Sequence, residues 1–403
     1  MRAGSGRSGA TGFVDGILSL RGLMALLVAT SHTLAFTVPA DYAGSVFDQA
    51  GFVAVIAKIV SDGVNVPMLF FVISGLAIAR SLDRKEELGQ GLRTYVIFMA
   101  RRVLRLYPAH TASMIGVMAL GWLFFMGRAP IDLSTLSWTG FEFLGDWLNG
   151  TIFNPLKPRS VIGNFAIATW SMNLVVWSLY VEVCAIPILP LMHRVVRERN
   201  LATDLTMLSG LLCLSVLMWS HVGVRYWFAF HLGMLVQIRG RDVARFLRRH
   251  AGGVGGASLA AWLVMLTPLV QPLDWAPGTF IQGASAFAIV SLVVWGEGRR
   301  TSRLLDHSVL RWNGRMSYSF YLWHYFILTV AVHELYVVFT PGTMAHYDLL
   351  TFAGTEVFTV AIALAIAQLS YSWIEEPCIQ LGTRLEAWLR QPWSVPVAAE
   401  AGD

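Results

Sequence analysis

The sequence predicts an all-α membrane protein that crosses the bilayer about ten times. Of its 403 residues, 55% are hydrophobic and only 14% are charged, and the mean hydropathy is +0.57. Soluble domains carry about 25% charged residues, so this chain lacks the polar side chains that a water-exposed surface needs. Its 15 Trp and 23 Phe fit the same class, because aromatic residues gather at membrane interfaces. This composition excludes a disordered chain, a coiled coil, a disulfide scaffold and a soluble enzyme.

Ten hydrophobic segments are long enough to cross a bilayer. The first is too long for a signal peptide core and lacks a small-residue cleavage site, which favours a retained span. We therefore predict one membrane domain over residues 1–385 and a short cytosolic tail over 386–403. The ten predicted spans cover residues 17–37, 63–79, 111–127, 174–191, 203–220, 223–239, 253–270, 279–296, 316–338 and 351–372.

The distribution of Lys and Arg supports this count and sets the orientation. If the N-terminus is cytosolic, the cytosolic segments hold 24 of the 30 Lys and Arg residues, and the external loops hold five. Cytosolic loops of membrane proteins carry the excess of positive charge. The alternation therefore predicts that both termini are cytosolic, and we expect a bacterial inner (plasma) membrane location.

The remaining charge and cysteine patterns limit the partners. The formal net charge of +5 is spread along the chain and forms no basic face with interleaved aromatic residues, so no nucleic-acid partner is expected. Three Cys residues form no CxxC or CxxH pattern. No intramembrane His or carboxylate pair has the spacing of metal ligands, and neither a metal nor a cofactor is expected.

Ionisable residues inside predicted spans are costly and often functional, and four of them stand out as candidates: Arg21, His32, Glu182 and His324. Arg21 and His32 are eleven residues apart, which places them on one face of a helix and about 16 Å apart along its axis. Glu182 is predicted at a depth similar to that of His32, where a carboxylate could orient an imidazole for base catalysis. The alternative is that both residues only pack or form hydrogen bonds. His324, predicted nearer the cytosol, could line a channel, bind another span or assist catalysis.

Two further arginines, Arg102 and Arg105, are predicted at the cytosolic mouth of the third span. Their guanidinium groups suit phosphate recognition, because each donates two parallel hydrogen bonds. Together with Arg21, they could hold a polyphosphate donor from the cytosol. The alternative is that they only set the orientation of the chain.

Seven segments in order resemble the acyltransferase 3 family of membrane O-acyltransferases. They carry Arg21 and His32, Ser74-Gly75, Arg102 and Arg105, Glu182, Gly233-Met234, Tyr318 and His324, and a closing Glu-Pro. The segments are SLRGLMALLVATSHT (19–33), GVNVPMLFFVISGLAIA (63–79), RRVLRLYP (101–108), WSLYVE (177–182), RYWFAFHLGM (225–234), NGRMSYSFYLWH (313–324) and SYSWIEEP (370–377).

The resemblance implies transfer of an acyl group, most often acetyl, from cytosolic acyl-CoA to a sugar hydroxyl. The residues selected above supply a mechanism for this transfer: Arg102 and Arg105 would hold the coenzyme's phosphates, with Arg21 also at the donor near the pantetheine path. His32 would act as general base, with Glu182 supporting the imidazolium. Acyl-CoA would be a co-substrate rather than a cofactor. Ser74, Tyr318 and His324 are auxiliary candidates, and Ser74 has the alternative role of a small-residue helix contact.

The acceptor and the class of the protein have open alternatives. The main expectation is a cell-surface or exported polysaccharide or its lipid-linked precursor, and the alternative is a small glycosylated metabolite such as a macrolide. A secondary transporter would also have many spans and buried charges. Transporters usually show internal repeats and broken helices near the midplane, and neither is evident in this sequence. The oligomeric state is not predicted.

Overall fold

Every regular element of the described residues is helical. The computed structural model describes residues 5–37, 66–83, 92–125, 158–170, 172–198, 200–250, 276–296, 307–339 and 348–390. Its helices are α1 (Ser5–Thr37), α2 (Val66–Asp83), α3 (Leu92–Phe125), α4 (Pro158–Phe165), α5 (Val176–Ala185), α6 (Leu189–Arg197), α7 (Leu201–Leu217), α8 (Val222–Arg225), α9 (Trp227–His250), α10 (Ala276–Trp295), α11 (Ser308–Arg315), α12 (Ser317–Val338), α13 (Asp348–Ser370), a π-helix (Tyr371–Glu375) and α14 (Glu376–Arg390).

The prediction of an all-helical membrane protein is confirmed, whereas the count of ten spans stays a prediction. Among the described residues, four stretches are long and apolar enough to cross a membrane, or five if one bent pair counts as a single span. Nine of the ten predicted spans overlap helices. The remaining one, 253–270, and most of the tail lie outside the described residues. The four stretches are residues 15–34, 66–83, 277–295 and 350–389.

The predicted span 174–191 is not one straight helix. Its two halves, α5 and α6, meet at an angle of 60°. Pro187 explains the break, because it has no backbone N–H to continue the helical hydrogen bonds and its ring crowds the preceding turn. Pro190 then occupies the first turn of α6, where a missing N–H costs nothing.

The predicted third span also differs from the structure. Helix α3 begins at Leu92, well before the predicted start at residue 111, and it continues through Pro108. Arg102 and Arg105 therefore lie within a long helix rather than at its entrance. The rigid helix places both guanidinium groups among neighbouring helices, and Arg102 is only 8% exposed.

Two close helix crossings hold the core together, and both depend on glycine. A Cβ added at Gly22 of α1 would overlap Leu310 O of α11, and one at Gly314 would overlap Leu18 O. Helices α2 and α9 cross in the same way at Gly75 and Gly233. Small residues at helix interfaces let the backbones approach closely. The Asn313 side chain stabilises the crossing of α1 and α11, because its Nδ2 donates to Gly22 O at 2.8 Å.

Candidate functional site

A cavity that is partly open to the surroundings lies among α1, α2, α3, α5 and α12. We name it the guanidinium cavity after Arg21, Arg102 and Arg105 in its wall. Six of the eight site residues selected from the sequence line it, whereas His32 and His324 lie outside the lining. The six are Arg21, Ser74, Arg102, Arg105, Glu182 and Tyr318.

The three arginines of the cavity differ in their partners. Arg102 Nη1 donates to Glu182 Oε1 at 2.7 Å, and the two side chains are 9% and 17% exposed. Neither Arg21 nor Arg105 makes a hydrogen bond or an ion pair with another residue of the described part of the chain. Two guanidinium groups therefore face the cavity with donors that a bound anion could use.

The cavity has a charged end and an aromatic end. Contacts of Phe71 with Trp177 and of Asp83 with His193 show that α2 and the α5–α6 pair run in the same direction. Glu182 comes after Trp177 along the chain, in the direction of His193. The Arg102–Glu182 ion pair therefore lies towards the Asp83 end of α2. Pro67, Phe70 and Phe71 line the other end, and Pro67 lies about 15 Å along α2 from Ala77, another lining residue.

Tyr321 connects this cavity to the histidines. It lines the cavity, its ring lies 6.2 Å from the ring of Phe70, and it lies 5.7 Å from the ring of His324. Its hydroxyl donates to Val175 O and accepts from Ser178 Oγ, both at 3.0 Å. Tyr321 was not among the site residues predicted from the sequence, although its three-residue spacing from Tyr318 and His324 indicates a shared helix face.

Tyr318 has a structural contact as well as a place in the cavity wall. Its hydroxyl donates to Leu106 O at 2.8 Å and so joins α12 to α3. Ser74 also lines the cavity, while the neighbouring Gly75 forms the crossing with α9. The Ser-Gly pair therefore combines a helix contact with one hydroxyl in the cavity wall.

His32 and His324, which we name the histidine pair, face each other. His32 Nδ1 lies 3.1 Å from His324 Nε2, and the ring planes differ by 7°. The ring centroids are 5.3 Å apart, which exceeds the nitrogen separation by about one ring diameter. The rings therefore meet edge to edge in nearly one plane, as a hydrogen bond between ring nitrogens requires. His324 is fully buried, whereas His32 is partly exposed.

The expected contact of Glu182 with His32 is replaced by two separate contacts. Glu182 binds Arg102, and His32 binds His324. Similar predicted depth did not establish proximity, because depth gives no information about which way a side chain faces around its helix. A charged guanidinium also gives a carboxylate a stronger hydrogen bond than a neutral imidazole does.

A second carboxylate, Glu375, lies close enough to Arg21 and Arg105 to interact with them electrostatically. It is 2% exposed, and its Oε2 accepts a hydrogen bond from Ser319 Oγ at 2.7 Å. Its charge acts on Arg21 and Arg105. It lies in the π-helix Tyr371–Glu375, a rare geometry that is frequent at functional sites. The sequence contained Glu375 in its closing Glu-Pro segment, but nothing in the pattern indicated this position.

The described residues thus define a helical membrane protein with a positively charged cavity beside a histidine pair. Their His, Cys, Asp and Glu side chains form no cluster of three that could hold a metal ion. Residues 14–371 match the acyltransferase 3 family model, described as an acyltransferase domain. The chain therefore belongs to this family, which supports an acyltransferase activity in a membrane. No curated protein and no solved structure matches the chain.

Proposed function

We propose that this protein transfers an acyl group from cytosolic acyl-CoA to a hydroxyl of a carbohydrate. The acyl group that we propose is acetyl, with acetyl-CoA as the donor. The observation that carries the proposal is the pair of arginines, Arg21 and Arg105, that line the cavity without a hydrogen-bonded partner among the described residues. Charged groups without a hydrogen-bonded partner are costly in a membrane protein and often serve a function. An anionic co-substrate would supply the missing partners.

The donor fits the two ends of the cavity. The phosphates of coenzyme A bind at the charged end, where planar guanidinium groups donate two parallel hydrogen bonds to each phosphate. Its long, less polar arm follows the wall formed by Phe70, Phe71 and Ile73. This arrangement directs the thioester past Tyr321 towards the histidine pair.

His32 acts as the general base of the transfer. The acceptor oxygen attacks the thioester carbonyl carbon, and His32 takes the hydroxyl proton as the new C–O bond forms. The C–S bond then breaks, and the proton passes from His32 to the departing thiolate, which gives the ester and free coenzyme A. Glu182 acts through Arg102, because it holds this guanidinium in the cavity wall.

The acceptor follows from the family resemblance. We infer a hydroxyl of a cell-surface or exported polysaccharide, or of its lipid-linked precursor, at the bacterial inner membrane. A glycosylated macrolide is the alternative acceptor. Radiolabelled acetyl-CoA offered with each acceptor class to the protein in lipid nanodiscs distinguishes them by which product carries the label.

Arg105 and Arg101 provide a matched test of the donor site. They lie one turn apart on α3, but Arg105 lines the cavity whereas Arg101 pairs with Glu386 outside it. Arg105→Ala should raise the KM for acyl-CoA about tenfold or more, corresponding to a lost charge-assisted hydrogen bond of about 1.5–3 kcal/mol. Arg101→Ala should leave this KM within twofold. Arg105→Lys should recover part of the loss, because lysine keeps the charge but lacks the planar fork.

Two results would contradict the proposal. One is the absence of both acyl transfer and acyl-CoA hydrolysis by folded protein in nanodiscs. The other is an equal change of the acyl-CoA KM in the Arg105→Ala and Arg101→Ala variants. Uptake of a solute by sealed proteoliposomes under an ion gradient, without any acylated product, would instead indicate a secondary transporter.

A further inference from the structure

The geometry of the histidine pair determines which ring nitrogens carry hydrogen. His32 Nδ1 and His324 Nε2 are 3.1 Å apart, within hydrogen-bond distance. A hydrogen bond needs one donor and one acceptor, so only one of these two nitrogens holds a hydrogen. The direction of this bond then follows from what the other nitrogen of His324 contacts.

The backbone of α12 fixes the hydrogen on His324. Its Nδ1 lies 2.9 Å from Tyr321 O and 3.3 Å from Phe320 O. A carbonyl oxygen can only accept, so His324 Nδ1 must be the donor. In a neutral imidazole the other nitrogen is then an acceptor. His324 Nε2 therefore accepts its hydrogen from His32 Nδ1.

The remaining nitrogen of His32 is left with a free lone pair. With Nδ1 protonated, Nε2 of the neutral ring is the basic atom. Nε2 makes no hydrogen bond with another described residue, and it is not among the fully buried polar atoms. The ring edge of His32 packs at 84° against Tyr325, which limits its rotation. The basic nitrogen is thus both oriented and accessible.

We infer that His324 is a positioning residue that holds His32 in the Nδ1–H tautomer, so that His32 Nε2 takes the acceptor proton. This inference rests on the proposed function for the role of His32 as base. When Nε2 takes the proton, the hydrogen bond from Nδ1 to His324 becomes charge-assisted and stabilises the imidazolium. His324 thus performs the role that a carboxylate performs in a Ser-His-Asp triad.

Kinetics of two His324 variants test the positioning role. His324→Leu removes the acceptor at similar volume, whereas His324→Gln can place an amide oxygen near the position of Nε2. We expect kcat to fall about tenfold or more for Leu, and clearly less for Gln. This loss is part of the roughly 10²–10⁴-fold that a general base contributes in total, because His32 itself remains. The KM for acyl-CoA should stay within twofold for both. His231→Gln, at a buried histidine of α9, should leave kcat unchanged.

Nitrogen NMR of the whole protein in nanodiscs tests the tautomer without any substrate. In ¹⁵N-histidine-labelled protein, protonated and unprotonated ring nitrogens are resolved, and the signals lost in His32→Gln identify His32. We expect Nδ1–H for His32 in the wild type and a mixture or Nε2–H in His324→Leu. If His324→Leu does not fold, the wild-type spectrum still decides, because a dominant Nε2–H tautomer of His32 overturns the inference.

The two assays separate this inference from the proposed function. A protein that transfers acyl groups but holds His32 as Nε2–H refutes the inference alone. A protein with the Nδ1–H tautomer and no acyl transfer refutes the proposed function and leaves the hydrogen-bond direction intact. An equal loss of kcat in the Leu and Gln variants, with unchanged tautomer, also overturns the positioning role.

Discussion

The guanidinium cavity and the histidine pair meet at Tyr321, yet they are built on opposite physical principles. The cavity is partly open, and it keeps three positive charges close together with one ion-paired carboxylate, Glu182, in its wall. The histidine pair is in contact with aromatic rings of α12. The first region is suited to hold an anion by charge, and the second to move a proton between oriented neutral groups.

Because of this difference, the donor binds in one region, the guanidinium cavity, and the proton transfer takes place in the other, the histidine pair. A positive charge near an imidazole lowers its basicity. Because the arginines lie in the other region, they do not lower the basicity of His32 in this way. A long donor with phosphates at one end and a thioester at the other can span both regions. Changes in the cavity should therefore alter donor affinity, and changes in the histidine pair should alter turnover.

The largest expected effect is that of His32→Ala. Loss of the general base should lower acyl transfer by at least about 10²-fold, while acyl-CoA still binds because the cavity is intact. The measurement is acyl transfer and acyl-CoA binding in nanodiscs, normalised for the amount of folded protein. Turnover above about a tenth of the wild-type value would remove His32 from the reaction and break the division between the two regions.

Arg102→Ala should affect stability as well as donor binding. It leaves the carboxylate of Glu182 unpaired, and the expected loss is about 2 kcal/mol, less than for a fully buried pair because Glu182 retains some exposure. Thermal unfolding in detergent measures this loss, with Arg245→Ala, which removes an exposed ion pair with Asp242, as control. The double variant Arg102→Met/Glu182→Leu should regain part of the stability but none of the donor affinity. Full stability of the single variant would show that the ion pair contributes nothing.

Tyr321→Phe tests the residue shared by both regions. It removes the hydroxyl that bonds Val175 O and Ser178 Oγ but keeps the ring beside His324. We expect a loss of about 1 kcal/mol in stability and a kcat within about threefold of the wild type. Thermal unfolding and acyl-transfer kinetics are the measurements. A fall in kcat comparable to that of His32→Ala would assign the tyrosine hydroxyl to the chemistry.

The smallest expected effect is that of Glu375→Gln, which keeps the side-chain volume and a partner for Ser319. Removal of the negative charge of Glu375 should lower the KM for acyl-CoA about twofold to threefold, since the effective dielectric constant is about 20 even at buried sites and weakens its attraction for Arg21 and Arg105. This gain should shrink as salt is added. A higher KM would instead mean that Glu375 positions the arginines.

The residue types of both regions could be selected from the sequence, but their pairing could not. Arg21, His32, Glu182 and His324 attract attention because ionisable groups inside apolar segments are costly. Periodicity then places Arg21 and His32 on one face of α1. It says nothing about rotation between helices, so the partners of Glu182 and His32 were not predictable. Tyr321 was predictable in principle, because it shares the face of Tyr318 and His324.

The sequence by itself determined the helical membrane class, the approximate position of most of the described long helices, and the residues able to carry charge or a proton. These properties depend on composition and on the 3.6-residue period, which are local. The tertiary structure alone decided the pairing of Arg102 with Glu182 and the contact of His32 with His324. Those features depend on how helices rotate and cross, which the close contacts at Gly22, Gly75 and their partners fix through packing between distant parts of the chain.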